Sequence, residues 1–171
     1  SLSILEGFKH EVTKNIISLG SHIQIKELKK ITDIKEQPIS ITDSLIESVL
    51  NVDGIKNIYP VIYEFGLIKT DNDFLGVNLK GVDNNYNWDD FSEYLVKGQF
   101  VNSDSSILIS DYIANKLNLE ISDKIRIYFP SLKNDRIKVR PFYVSGIYHT
   151  SMQEFGDILT FVHISKLQIL K

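Results

Sequence analysis

Leu5, Phe8, Val12, Ile16 and Leu19 recur at steps of three and four, which lays them on one stripe of a helix. Lys9, His10, Lys14 and Asn15 fall mostly off that stripe, and Gly20 supplies the residue that most readily closes a helix. At a rise of ~1.5 Å per residue, the helix from Leu5 to Gly20 is roughly 24 Å long. The period then switches to two: His22, Gln24 and Lys26 alternate with Ile23 and Ile25, as in a half-buried strand. Lys26–Ile41 is polar and reads as a loop or edge segment. Thr42, Asp43 and Ser44 offer capping side chains, Ser44 and Glu47 have capping-box spacing, and Leu45, Ile46, Val49 and Leu50 form a short amphipathic helix.

Two alternating runs follow. Val61, Tyr63, Phe65 and Leu67 alternate with Ile62, Glu64, Gly66 and Ile68; Leu75, Val77 and Leu79 alternate with Phe74, Gly76, Asn78 and Lys80. With Thr70-Asp71-Asn72-Asp73 between them they predict a hairpin. Asn84–Asp90, rich in Asn and Asp with Tyr86 and Trp88 as anchors, reads as a solvated hinge between two lobes. Beyond it the pattern predicts a strand over Ser106–Ser110 and a helix capped by Ser110 and carrying Ile113, Ala114 and Leu117. Strands follow over Lys124–Phe129, Ile137–Tyr148 and Ile158–Ile164, then a helix capped by Ser165 that is cut off at Lys171. Met152 is the one methionine, so the chain reads as a piece cut from a longer protein or as a processed one, with helices truncated at both ends.

The composition narrows the chemistry. A chain of 171 residues, 43% hydrophobic and 24% charged, can bury a core without staples. A formal net charge of -3 gives no reason to expect nucleic acid, and the absence of cysteine removes disulfides, thiolate metal sites and cysteine nucleophiles. No window approaches the ~18 consecutive apolar residues of a membrane span. There is no G-x-S-x-G elbow, Walker loop or G-x-G-x-x-G, so any ATP chemistry belongs to another chain. Asp83, Asn85 and Asn87 match the first ligands of an EF-hand loop, but Trp88 and Tyr94 stand where its turn glycine and bidentate glutamate belong. His149 and His163 could meet near Glu154 or Asp157 as a zinc or general-base site; strand-end histidines are the commoner reading. The basic run Lys133, Arg136, Lys138 and Arg140 is either the solvated face of a hairpin or, with Ser131, Leu132 and Asn134, a contact site for an acidic partner.

The order of these elements resembles the periplasmic domain of permease subunits in the MacB/FtsX/LolCE superfamily of ABC transporters, the lipoprotein-releasing LolC/LolE type in particular. Gly7-Phe8 with Leu19–Ile23 resembles the segment where the first membrane helix emerges into the first strand. Val52–Ile55 with Tyr59–Tyr63, and Gly76–Asp83, resemble the family's first strand and hairpin arm. Lys97-Gly98, Ile107–Ser110 and Leu117–Leu119 resemble the inserted lobe, and Asp123–Ile125 with Phe142–Tyr148 its closing strands. Ser122 and Ser151 depart from the family's glycines, and Ser131–Arg140 is short where the LolC type carries a long hooked loop that recruits a lipoprotein carrier.

The resemblance implies an α+β fold of two lobes, a mixed lobe from 1–83 and 141–171 and a smaller β-rich insertion over 84–140. It implies a domain in the periplasm, held in the inner membrane by helices on either side, that catalyses nothing and uses no cofactor. Its partners would be a cytoplasmic ABC ATPase, a second permease subunit, and a soluble lipoprotein carrier or outer-membrane component. The stripe of Leu5, Phe8, Val12 and Ile16 would couple ATP hydrolysis to release or export of an envelope substrate. Two other classes compete: a free-standing binding module using a pocket near Tyr86 and Trp88, and a hydrolase using His149 or His163.

Overall fold

The computed structural model describes residues 23–27, 39–70, 73–130, 137–150 and 157–170. They group into two units, one ending at Ile58 and the other beginning at Tyr59. In the first, helix α1 spans Asp43–Leu50. Thr42 caps it: the residue is extended and its Oγ1 accepts from the Leu45 N–H at 3.2 Å. The expected Ser44–Glu47 box does not form, because Ser44 already lies in the first turn, where its carbonyl takes the Ser48 hydroxyl at 2.7 Å. Leu45, Ile46 and Val49 are half-buried. Residues 23–27 form no strand, so alternation there does not produce one. Leu5–Gly20 lies outside the described residues.

The second unit begins with the expected hairpin, β1 (Ile62–Lys69) and β2 (Phe74–Val82), paired antiparallel from Lys69↔Phe74 to Ile62↔Gly81. Thr70 and Asp73 close the turn, the Thr70 N–H reaching the Asp73 carbonyl at 2.9 Å and the Asp73 N–H reaching Thr70 Oγ1 at 3.1 Å. Strands β3 (Leu95–Gly98), β4 (Ser106–Ser110), β5 (Lys124–Phe129), β6 (Lys138–Tyr148) and β7 (Leu159–His163) follow, with helices α2 (Asp111–Leu117) and α3 (Ile164–Gln168). Ser110 caps α2 as expected, accepting from the Ile113 N–H at 3.2 Å, and Asn118 ends it in the left-handed conformation. His163, not Ser165, caps α3: its Nδ1 faces the Ser165 N–H at 3.4 Å and the Ser165 hydroxyl at 2.8 Å. The helix expected to run to Lys171 ends at Gln168.

The seven strands form one sheet, ordered β3-β6-β4-β7-β2-β1-β5, in which β5 also pairs with β6. The pairings therefore close: β6, β4, β7, β2, β1 and β5 make a ring, with β3 on the flank of β6. β6 can serve both arms because it is long. Lys138–Tyr143 binds β5 and Tyr143–Tyr148 binds β4, with a register shift between Ile107 and Leu108 that bends the strand. The ring crosses both expected lobes. β5 lies within 84–140 yet joins β1 of the other expected lobe, and no break falls at Asn84 or Arg140.

Alternation sorts the side chains onto two sides of this sheet. Ile68, Val77, Leu79, Ile107, Ile109, Ile127, Phe142, Val144 and Val162 pack into one core, closed by Ile113, Ala114 and Leu117 of α2 and Leu167 of α3. Leu108, Tyr148, Leu159 and Phe161 point the other way and meet Phe91 and Val82 in a second cluster. Strand β4 is buried along its whole length for that reason.

Candidate functional site

The second cluster is an aromatic layer laid over one side of the sheet. Trp88 stacks on Phe100 with centroids 4.6 Å apart and the planes 10° from parallel. Its edges meet Tyr86 at 4.8 Å and Phe161 at 5.4 Å, and Phe91 contacts Tyr148 at 5.1 Å and Phe161 at 5.0 Å. Such offset and edge-to-face contacts match the positive ring edge of one partner to the negative face of another. The segment expected to be a solvated hinge is thus pinned to the sheet by its own aromatics. Asp83 and Asn87 keep their side chains local, accepting from the backbone N–H groups of Asn85 and Asp89 at 3.2 and 2.8 Å. Trp88 and Tyr86 are committed to this packing, the former through its stack and the latter also through Tyr59 at 5.4 Å.

Lys80 sits beneath the layer, 1% exposed. Its position in β2 opposite Tyr63 and beside Phe161 of β7 places the ammonium among rings. Nζ donates to the Tyr86 hydroxyl at 3.0 Å and lies 5.0 Å from the Tyr86 centroid and 5.6 Å from that of Phe161. Burial lowers its pKa to about 8, because the charged form loses its hydration. The Tyr86 hydroxyl is pushed well up, first by burial and then by Tyr63, Tyr59 and Asp90. Tyr148, whose hydroxyl donates to the Leu159 carbonyl at 2.7 Å, is raised by burial and then by Asp157 and Asp111. Burial also raises Tyr63. A lysine so enclosed cannot meet a substrate; it clamps the segment after β2 onto the sheet. Sequence reading placed Lys80 on the polar face of its strand and missed this role. The available signal was a single lysine between Leu79 and Gly81, six residues before a tyrosine.

The structure gives the two histidines different partners. His149 Nδ1 meets Asp111 Oδ2 at 2.7 Å, and His163 Nδ1 meets Asp104 Oδ1 at 2.9 Å. Among the described residues no group of three or more His, Asp or Glu side chains is placed to hold a metal. Of the expected contact residues, Ser131, Leu132, Lys133, Asn134 and Arg136 lie outside the described residues, as do Leu5, Phe8, Val12 and Ile16. Lys138 and Arg140 are described, and they do not form the outward charged face that the hairpin reading expected. They alternate with Val139 and Pro141 and share the face of Phe142; Lys138 Nζ donates to the Leu170 carbonyl at 2.8 Å and Arg140 to the Val139 carbonyl at 2.9 Å.

The unit beginning at Tyr59 is thus an α+β architecture with a closed sheet and a core on each side. No described helix is long and apolar enough to cross a membrane. A sequence profile of the MacB-like periplasmic core domain matches residues 1–171, and the chain belongs to that family. It is 26% identical over 184 residues to the lipoprotein-releasing system transmembrane protein LolC of Buchnera aphidicola subsp. Acyrthosiphon pisum (strain APS), covering 96% of this chain and 43% of that protein. The chain therefore spans less than half the length of this relative. Two solved structures share the fold. The extracellular domain of the noncanonic ABC-type transporter YknZ from Gram-positive bacteria has a TM-score of 0.53 at 15% identity, over 78% of this chain and 67% of that one. The periplasmic region of MacB from Actinobacillus actinomycetemcomitans has a TM-score of 0.52 at 16% identity, over 81% and 63%.

Proposed function

We propose that this chain is the extracytoplasmic domain of an ABC permease subunit and couples cytoplasmic ATP hydrolysis to release of an envelope substrate, a lipoprotein. The observation that carries this reading is similarity to a lipoprotein-releasing transmembrane protein along 96% of the chain, in a domain of the MacB-like periplasmic core family. ATP is bound and hydrolysed by a separate cytoplasmic subunit, and a second permease subunit completes the transporter. The domain itself catalyses nothing: it faces the periplasm and receives motion from membrane helices beyond its ends.

The apolar stripe Leu5, Phe8, Val12 and Ile16 is the element that carries this motion, since coupling requires a rigid element with two packed arrangements. Ser131, Leu132, Lys133, Asn134 and Arg136, with the half-buried Lys138 and Arg140 that follow them in the chain as a smaller part, form a contact for a soluble lipoprotein carrier or an outer-membrane component. In the assembled transporter, Phe8→Asp or Val12→Asp leaves ATP hydrolysis running while lipoprotein release falls about tenfold or more, the loss of ~1.4 kcal/mol of coupling. Release measured in proteoliposomes alongside ATPase rate tests this; unchanged release would refute the role of the stripe.

A further inference from the structure

Among the described residues, part of the ring of strands is covered by neither core. On the outer side of β1, β2 and β5 the register places Phe74, Lys69 and Arg126 in one row and Gly76, Leu67 and Tyr128 in the next. Directly opposed residues of antiparallel strands project to the same face, ~5 Å apart at Cα. The neighbouring pair Ile68↔Ile127 is fully buried, so this row points outward. Phe74 is 68% exposed and Phe65, whose ring covers Gly76, is 50% exposed. Lys124 continues the cations along β5 and lies over Tyr143, also exposed.

Two like charges set directly opposite each other on a sheet weaken it. Lys69 and Arg126 are both exposed, and among the described residues neither has an ion-pair partner. A carboxylate seated between them would turn mutual repulsion into two charge-assisted hydrogen bonds. We propose that this face docks a segment of another protein that presents a carboxylate to Lys69 and Arg126 and apolar side chains to Phe65 and Phe74. Exposed aromatics beside an arginine are the composition of protein-interface hot spots. A symmetric contact with a second copy would set these cations against themselves. An anionic bilayer would meet the half-exposed Asp73, which directly precedes Phe74. The face uses none of Ser131–Arg140, so it stands or falls independently of the carrier contact proposed above.

The test places a benzophenone amino acid at position 74 of the natural-length protein in its host membranes and sequences the irradiated adducts by mass spectrometry. The expected adduct is a peptide of a different protein with Asp or Glu within two residues of the cross-link. Lys69→Glu with Arg126→Glu lowers its yield about tenfold or more. Lys69→Gln with Arg126→Gln, a milder pair, lowers the yield while the thermal midpoint of the purified protein stays unchanged or rises by about 1 °C, as relief of repulsion requires. Adducts to a second copy or to lipid, no adduct, or a yield indifferent to either pair of substitutions overturns the proposal.

Discussion

Lys80→Met removes the buried ammonium while keeping an unbranched side chain of similar length, and its effect is read as a change in how stability depends on pH. Burial holds the Lys80 pKa at about 8 in the folded protein, against an ordinary value of 10.5 in the unfolded chain. Between those values the unfolded chain binds the proton that the folded protein has released, so stability rises with pH. Below about pH 8 both states are protonated and the slope vanishes. Each pH unit inside the window is worth ~1.4 kcal/mol, so from pH 7 to pH 9.5 the wild type gains ~2 kcal/mol from this one group. The ring faces of Tyr86 and Phe161 favour the charged form and offset part of this, which sets the lower end near ~1 kcal/mol. Above about pH 10 the sign reverses. Tyr86 and Tyr148 are raised in the folded state, so the unfolded chain ionises first and stability falls. Urea unfolding followed by Trp88 fluorescence at pH 7, 8, 9 and 9.5 gives both profiles. The Met variant should lack the rise between pH 8 and 9.5. At pH 7 it should lie within ~1 kcal/mol of wild type, because replacing a buried charge with a fitting apolar side chain is often neutral. Parallel profiles for the two proteins would show that Lys80 is not desolvated as argued.

Further substitutions test the packing and the backbone. Phe161→Ala deletes a fully buried ring that touches Trp88, Phe91 and Tyr148, and should cost ~3–5 kcal/mol in urea unfolding; a loss under ~1 kcal/mol would mean that the aromatic layer is not well packed. Gly98→Ala should cost ~2–4 kcal/mol, since φ is +77° and the new Cβ would sit 2.2 Å from the Ser145 carbonyl oxygen. Gly54→Ala is its control: φ is +89° but no atom lies within 4 Å, so the thermal shift should correspond to only ~1 kcal/mol.

Local pattern was a reliable guide wherever a single side chain could satisfy the need of a nearby backbone. The hairpin of β1 and β2, the Ser110 cap and the buried triad of α2 were all legible, because period and spacing act over a few residues. Caps were less secure when neighbours competed. Thr42 displaced Ser44, and His163 displaced Ser165, since a cap must stand outside the helix in extended geometry and pattern does not say where the first turn begins. Asn84–Asp90 keeps its Asn and Asp residues exposed, as read, but pattern did not say that its aromatic anchors reach Phe100 and Phe161, distant in sequence.

The residues by themselves determined most of the strands and, through their order, the family, although they did not predict β3 and offered an alternation at 23–27 that forms no strand. Only the tertiary structure decided that β5 returns to β6 and closes the ring, that Lys138 and Arg140 share the face of Phe142, and that Lys80 lies under Tyr86. The reason is physical. Alternation along a strand gives two faces but no preference between them, and the choice is made by the neighbours that pairing brings alongside. Tyr63 and Phe65 face outward while Gly66 and Ile68 face the core because Ile127, on β5, packs over that glycine.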